Sequence, residues 1–312
     1  MVANSAKELI TPPYQEHIMK KHFIALALLS LFGKATLAQT VTAEEDSRFR
    51  FGLRITPQPT WFTSSTDKNI SNNQIKFGFG FGLNMEYRLT KVAALLTGIG
   101  GDFESGKFKY RYEPGVYAVY YELNESSEFV KPVNGIGLPI AALKKTGNTG
   151  YLVKDRQINT TYVTIPLILK LSTNETNGLR YFGMFGGELG FRSKAVATDT
   201  YYESYTYSRD SSLTLGPGGS QAKLNLGGFS GDARAGILRA GLNLGMGIEY
   251  RLTGSTAFFV NVNYFRAFTG LMRKDSQFLV FKTENSGGTY INKMVQQNLL
   301  YNAVRINLGF MF

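Results

Sequence analysis

An alternation of apolar and polar residues runs unbroken for fifteen residues and constrains this chain more than any other feature. Residues 75–89 read IKFGFGFGLNMEYRL, in which odd positions are apolar and even positions are glycine, polar or charged. A period of two residues is typical of a β-strand with one apolar and one polar face. The alternation returns at 238–252, LRAGLNLGMGIEYRL. The near-repeats MEYRLT and IEYRLT therefore end two long, two-faced predicted strands.

The length of these strands favours a membrane. Strands of globular proteins run roughly 5–6 residues, whereas a tilted strand needs about 9–11 residues to cross a bilayer. The apolar faces carry Phe, Leu, Met and a terminal Tyr, while the polar faces carry glycine and charge. Lipid outside and a polar interior inside a transmembrane barrel explain this pattern. The alternative, a half-buried strand pair in a soluble sandwich, fits the strand length poorly.

Six further segments show β periodicity, so the sequence predicts eight strands. Three short connections, at 90–91, 172–178 and 253–255, alternate with four long ones. This asymmetry is typical of outer-membrane barrels, which have short periplasmic turns and long extracellular loops. The predicted fold is all-β, a transmembrane antiparallel up-and-down β-barrel of eight strands; a hairpin at 115–123 would make ten possible. The predicted strands are 49–61, 75–89, 92–103, 158–171, 179–192, 237–252, 256–268 and 300–312.

The N-terminal part has the composition of an export signal. Two lysines precede the mainly apolar run 23–32, and small residues permit cleavage after Ala38. The apolar run is too short for a transmembrane helix. Met19 is a more plausible start than Met1. The predicted organisation is a signal region at 1–38, a short lead at 39–48 and the barrel at 49–312.

Charges on the inward faces allow two interpretations, a lumen closed by salt bridges or a continuous pore. An eight-stranded barrel is just wide enough for side chains, and buried charges must pair. Glu86 and Glu249 are expected near the periplasmic end, with Arg88, Arg180 and Arg251 as candidate partners. The predicted lumen charge network is Glu86, Arg88, Arg180, Glu188, Arg239, Glu249, Arg251 and Arg305; Lys76, Lys170 and Arg192 fall on the same faces.

Aromatic residues mark two kinds of surface. Tyr87 and Tyr250 end the repeated stretches on the outward face, and they are predicted to lie at the membrane interface. Two runs of the predicted loops, 109–122 and 199–210, are rich in Tyr and basic residues. Such residues favour recognition surfaces, but Tyr also favours exposed β-hairpins. The sequence leaves both interpretations of the loops open.

Three stretches resemble the PorT-like outer-membrane β-barrel proteins of Bacteroidota, or outer-membrane proteins more widely. Residues 162–170, YVTIPLILK, are similar to a strand of that family with a central proline, and 229–252 are similar to a later strand that ends G-x-G-x-E-Y-R-L. The last eight residues, RINLGFMF, resemble a C-terminal signal, which implies that Phe310 and Phe312 are recognised by the barrel-assembly machinery. The family mostly contains uncharacterised barrels, and one branch is tied to secretion and gliding.

The composition argues against an enzyme. Both histidines, His17 and His22, precede the predicted cleavage site, and the chain has no Cys. Lipid-A deacylases, phospholipases and omptin-like proteases resemble each other in needing a catalytic His, and a hydroxyl or water nucleophile without a base is weak. Zinc and copper sites would lack their usual ligands. We therefore expect no catalytic, cofactor-binding or metal-binding residues.

The net charge of +11 could suit nucleic acid, but an exported barrel makes that partner unexpected. The expected partners are outer-membrane lipid and lipopolysaccharide, the barrel-assembly machinery during biogenesis, and an unknown ligand at the surface loops. The sequence predicts a non-enzymatic binding, adhesion or structural barrel of the bacterial outer membrane. The alternative is a small pore or an accessory barrel of a protein-secretion machine.

Overall fold

The structure is a computed structural model. It describes residues 48–64, 68–113, 118–123, 126, 149–202, 219–226, 235–272, 280–284, 290–294 and 297–312. The predicted signal region and all but the last residue of the predicted lead lie outside these ranges. Within them, the chain has no helix with the length and apolar content that a transmembrane helix needs.

The described residues form thirteen strands. They are β1 (Phe49–Ser64), β2 (Ile70–Gln74), β3 (Lys76–Arg88), β4 (Ala93–Tyr110), β5 (Ala118–Leu123), β6 (Thr149–Ser172), β7 (Leu179–Tyr201), β8 (Gly219–Asn225), β9 (Leu238–Thr253), β10 (Thr256–Ala267), β11 (Val280–Glu284), β12 (Tyr290–Met294) and β13 (Leu299–Met311).

Eight of these strands close an antiparallel barrel in the order β1, β3, β4, β6, β7, β9, β10 and β13. β13 pairs with β1, so the ring has no free edge. The eight-stranded prediction is confirmed. The possible hairpin at 115–123 contributes β5, which pairs with β6 and β11 outside the ring and adds no barrel strand.

The two ends of the barrel differ. At the short-turn end, β3 joins β4, β6 joins β7 and β9 joins β10 through connections of a few residues. Gly178 and Gly254 have φ angles of 79° and 52°, a region that glycine adopts without steric cost. The opposite end, which we call the long-connection end, carries β2, β5, β8, β11 and β12.

The alternation of the sequence places apolar residues on the outer surface of the barrel and polar residues in its lumen. On β3, Phe77 is 81% exposed while Glu86 on the other face is 2% exposed. The outward side chains of the ring form a broad apolar belt, and the inward ones are largely polar. Exposed members of this belt include Phe51, Leu53, Ile55, Phe79, Phe81, Leu83, Phe103, Val163, Leu167, Phe185, Leu189, Phe191, Leu244, Met246, Val262, Ile306 and Phe310.

Three strands extend well beyond the predicted ends at 103, 158 and 192. β4 reaches Tyr110, β6 begins at Thr149 and β7 reaches Tyr201, so parts of two predicted long loops are strand. In these extensions the alternation reverses: Phe108 faces inward and is buried, and Lys109 faces outward. This reversal is expected where a barrel wall leaves lipid for water, because the apolar face must then turn to the interior.

The seam between β1 and β13 has a gap. The two strands keep one register, but their pairing is interrupted between Ile55 and Thr60. Pro57 and Pro59 lie within the interruption, and proline has no backbone N–H to donate to a neighbouring strand. The closing seam of the ring therefore lacks backbone pairing near its middle.

Inward side chains bridge this gap. Thr56 Oγ1 donates to Asn307 Oδ1 at 2.7 Å, and Arg305 Nε donates to Gln58 Oε1 at 2.9 Å. Both bonds join residues that stand opposite each other in the uninterrupted register. Side-chain hydrogen bonds thus replace backbone ones where the prolines remove them.

Candidate functional site

Four buried charges form a closed cluster in the lumen near the short-turn end. Lys170 Nζ donates to Glu86 at 2.7 Å and to Glu249 at 2.6 Å. Arg50 Nη1 donates to Glu249 at 2.6 Å and to Glu86 at 3.3 Å. Each carboxylate therefore contacts both cations, and the cluster has no net charge. This mutual pairing offsets the cost of removing four charges from water.

The partners of the two glutamates differ from those predicted. Arg88 Nε lies 3.7 Å from Glu86, at the margin of the cluster. Arg180 and Arg251 contact Glu175 in the turn between β6 and β7, at 3.3 and 2.7 Å. The expectation that Arg180 and Arg251 neutralise the lumen glutamates is wrong. Arg50 of β1 and Lys170 of β6 contact both carboxylates instead. Arg251 is instead partly exposed at the rim.

A second charge cluster lies further along the lumen. Arg305 donates to Glu188 at 2.6 Å and to Asp102 at 3.3 Å. Arg239 donates to Glu188 at 2.9 Å and to Glu104. All five side chains are buried. The sequence predicted Glu188, Arg239 and Arg305 for the network, but it missed both acids of β4. Glu104 lies beyond the predicted strand end at 103, whereas Asp102 lies on the polar face of the predicted strand and was not assigned to the network.

A third cation lies beside this cluster. Arg54 lines the same small cavity as Glu188. A Cβ atom at Gly100 would lie 2.8 Å from Arg54 Nη2, and one at Gly82 would lie 3.1 Å from its Nε. The glycine faces of β3 and β4 therefore make room for a guanidinium. With Arg54 counted, three basic groups balance the three acids of the second cluster.

Aromatic and aliphatic side chains fill the lumen towards the long-connection end. Arg305 and Arg239 lie against this core, with Cζ 4.2 Å and 4.8 Å from the centroid of the Phe265 ring. The core has the composition of a soluble-protein interior. Its buried members include Phe62, Phe108, Tyr110, Val153, Ile158, Ala195, Ala197, Phe265, Leu299 and Tyr301.

One ion pair is buried inside this core, in the strand extensions. Arg156 donates to both carboxylate oxygens of Asp199, at 2.7 and 2.6 Å. Tyr121 donates to Asp199 at 2.8 Å, and its hydroxyl lies 2.5 Å from that of Tyr201. Burial raises the pKa of Tyr121 far above its usual range, and the Asp199 carboxylate raises it further. Burial alone would lower the pKa of Arg156, but Asp199 outweighs it and holds that pKa high.

Small cavities lie between these layers. The described residues enclose interior cavities of about 30, 20 and 10 Å³, and a buried water needs roughly 10–15 Å³. The first cavity is lined by five asparagine side chains, from Asn84, Asn243, Asn261, Asn263 and Asn307. Such cavities have room for single waters but not for a hydrated ion.

The outward residues singled out by the sequence lie on the exposed face. Tyr87 and Tyr250 are exposed near the short-turn end. Phe310 and Phe312 are exposed at the end of the last strand, and the Phe310 ring lies 5.3 Å from that of Phe258 on β10. Interface anchoring and recognition by assembly machinery stay predictions. Among the described residues no group of His, Asp or Glu is arranged to hold a metal ion.

Comparisons with solved structures find other outer-membrane proteins. Neisserial surface protein A is 10% identical, with 84% of this chain and 96% of that chain covered at a TM-score of 0.31. Ail of Yersinia pestis is 8% identical, with 84% and 98% covered at 0.26. A major outer membrane protein from Thermus thermophilus is 12% identical, with 85% and 99% covered at 0.34. Likeness this weak carries no argument about what this chain binds.

The family comparison is more informative. No curated protein matches the chain. The family described as outer membrane protein beta-barrel domain matches residues 37–273, which is most of the length of this chain. That match agrees with the closed ring of eight antiparallel strands and its apolar outer belt. The chain is thus a member of the outer membrane protein β-barrel domain family.

Proposed function

We propose that this protein is a closed outer-membrane barrel that serves as a rigid platform and presents its extended β-structure for non-enzymatic binding, adhesion or a structural role. The proposed orientation has the long-connection end outside the cell and the short turns in the periplasm, as in other barrels of this kind. The rigid ring would hold the surface structure at a fixed height above the membrane.

The packing of inward side chains in the lumen is the observation that supports this proposal. Two charge-balanced clusters and an aromatic core follow one another along the interior, and the cavity beside Glu188 and Arg305 has a volume of about 30 Å³. A pore would need a continuous water-filled path. Opening one would leave buried charges without partners, which costs several kcal/mol for each broken pair.

Planar-bilayer recording separates this proposal from its alternative, a small pore. We expect wild-type protein to insert without discrete conductance steps at neutral pH. The double variant Glu188→Ala/Arg305→Ala, which removes side chains from the middle of the lumen, should raise the leak. Stable unit conductance steps from wild-type protein would overturn the closed platform and favour the pore.

Finer assignments rest on the sequence. The motifs at 162–170 and 229–252 support a PorT-like Bacteroidota relationship, and an accessory role in protein secretion remains the second alternative to the platform. We infer export by a signal peptide cleaved after Ala38, and assembly through recognition of Phe310 and Phe312. We also infer contacts with outer-membrane lipid and lipopolysaccharide.

A further inference from the structure

The extended strands β4, β6 and β7 form a wall that continues beyond the apolar belt. Phe103, Val163 and Phe191 end the continuous apolar belt on its outward face. Beyond them, most outward side chains are hydroxyls, amides and cations, with Val196 and Leu152 as apolar exceptions, while the inward ones form the aromatic core. The polar outward side chains of the wall include Ser105, Lys107, Lys109, Gln157, Asn159, Thr161, Ser193, Lys194, Thr198 and Thr200.

A ladder of amide and hydroxyl groups runs across this wall. Ser105 Oγ donates to Asn159 Oδ1 at 2.7 Å. Gln157 Nε2 lies 3.3 Å from both Ser105 Oγ and Asn159 Oδ1. Asn159 is exposed, so its amide also faces solvent. Amides and hydroxyls each offer several donor and acceptor positions, which matches the hydroxyl groups of a saccharide.

The wall also carries cations that have no acidic partner. Lys107 pairs with Asp155 at 2.8 Å. Across the described part of the chain, no carboxylate lies within salt-bridge distance of Lys109, Lys154 or Lys194, and all three are exposed. Lys154 Nζ lies 5.8 Å from the Tyr202 ring centroid. These charges are available to an anionic group in solution or on a neighbouring molecule.

The height of the cations distinguishes between possible anions. Lys194 stands opposite Thr161 on β6, and Thr161 stands opposite Phe103 at the edge of the apolar belt. Lys109 lies six residues beyond Phe103 on the same strand, which is about 20 Å along the strand. At a strand tilt near 45°, this places Lys109 about 14 Å above the edge of the apolar belt, measured along the membrane normal. The headgroup region of a bilayer adds only about 5–8 Å on each side, so phospholipid reaches Lys194 but not Lys109.

We propose that this wall binds the phosphorylated oligosaccharide headgroup of an outer-leaflet glycolipid. Its position directly above the lipid-contacting belt places it among such headgroups. Lys194 would contact the phosphates at the membrane surface, and Lys109 and Lys154 would contact phosphates on the sugars. The amide ladder between them would bind sugar hydroxyls. The assignment rests on the proposed orientation, with the long-connection end outside.

Binding of defined lipids to the purified full-length barrel tests the assignment. The probes are phosphatidylglycerol, a glycolipid that ends at phosphorylated lipid A, and a glycolipid that also carries a phosphorylated core oligosaccharide. Native mass spectrometry after detergent exchange gives the affinity for each. We expect wild-type protein to bind the core-bearing glycolipid best and phosphatidylglycerol least.

Three variants localise the site. Lys109→Ala/Lys154→Ala should weaken binding of the core-bearing glycolipid by about 30-fold, and Lys194→Ala should weaken binding of both glycolipids by about fivefold. The double variant should leave lipid A binding unchanged. Lys91→Ala, which removes an exposed cation at the short-turn end, is the matched control and should change neither.

Two results would overturn the assignment. One is equal binding of phosphatidylglycerol and the core-bearing glycolipid by wild-type protein. The other is an equal effect of Lys91→Ala and the double variant, which would indicate general attraction to a basic protein. Heat-dependent mobility in SDS gels verifies that every variant is folded. Failure here leaves the closed platform standing, because bilayer conductance does not depend on these surface lysines.

Discussion

Glu249 contacts two cations from two different strands, and carboxylates that contact two cations recur in both charge clusters of the lumen. Its carboxylate accepts from Arg50 and Lys170, both at 2.6 Å, and all three side chains are buried. Removing one member of such a cluster leaves a charge without its partner. The neighbouring Tyr250 is exposed on the outward face of the same strand.

Glu249→Ala should therefore lower the free energy of unfolding by about 3–5 kcal/mol, and Tyr250→Ala should cost less. Equilibrium unfolding of barrels folded into lipid vesicles measures both. Glu249→Gln serves as an isosteric control that keeps the volume and removes the charge. Equal costs for the alanine variants at 249 and 250 would contradict the assignment of inward and outward faces at this end.

Pairing in the lumen shows where prediction from the sequence stops. Alternation alone places Glu86 and Glu249 inside, but it does not reveal which cations they meet. Arg180 stands opposite Glu249 in the β7–β9 register, yet its side chain turns to Glu175. The partner Lys170 comes from β6, two strands away from β9 around the ring, and that contact depends on strand tilt and closure, which no local pattern encodes.

At the scale of strands, the outward face of β9 gives a direct test of which side meets lipid. Leu244 is 57% exposed near the middle of this strand. Leu244→Arg should cost about 2–4 kcal/mol in a bilayer, measured by the same unfolding experiment. Leu252→Arg, nearer the membrane edge, is the matched control and should cost about 0–1 kcal/mol. A neutral Leu244→Arg would mean that this face does not meet lipid.

The seam between β1 and β13 should depend on side chains more than other seams do. Thr56→Val with Gln58→Leu removes both bridging groups beside the proline gap. In an antiparallel strand, successive N–H groups point to opposite neighbours, and Phe312 donates to Phe51 of β1. Even-numbered amides of β13 therefore face β1.

We expect hydrogen exchange at these even-numbered amides to accelerate in the double variant, while the odd-numbered amides that face β10 change less. Asn261→Leu is the control, because it removes a 2.6 Å side-chain bond at the β10–β13 seam, where backbone pairing is uninterrupted. Uniform acceleration of both sets would contradict a seam held by side chains.

Strand positions were predictable from alternation, but strand ends were not. The alternation identifies the strands at 75–89 and 238–252 correctly, because their apolar residues stay on the outward face, and their polar residues on the lumen face, along the whole length. On β4 the phase reverses after Phe103, and the inward side chains become Phe108 and Tyr110. A search for apolar residues at the outward positions therefore loses the strand where it leaves the lipid, because the outward residues are polar there.

At the scale of the whole barrel, the eight strands form a ring in which every barrel strand pairs on both sides. Such a ring has no edge from which detergent can unfold it one strand at a time. We expect folded protein to keep a distinct mobility in SDS at room temperature and to lose it after boiling. Protein refolded in vesicles and protein extracted from membranes should behave alike, and identical mobility before and after heating in both would contradict a closed ring.

Closure between the first and last strands is the claim on which the proposed sealed lumen and platform depend. Leu53 stands opposite Phe310 across this seam. Cα atoms of such a hydrogen-bonded pair are about 5.5 Å apart, within the range that a disulfide spans. The chain has no Cys, so an introduced pair reports this contact alone. A pair displaced by two residues is about 7–8 Å apart, too far for an unstrained disulfide.

The most direct measurement is therefore oxidative cross-linking of Leu53→Cys/Phe310→Cys in folded protein, compared with Leu53→Cys/Leu308→Cys. The first variant should form an intramolecular disulfide that alters mobility after boiling and is reversed by a reductant. The second should remain reduced under the same conditions. Failure of the first pair to cross-link, or equal cross-linking of both pairs, would contradict a barrel that closes in this register.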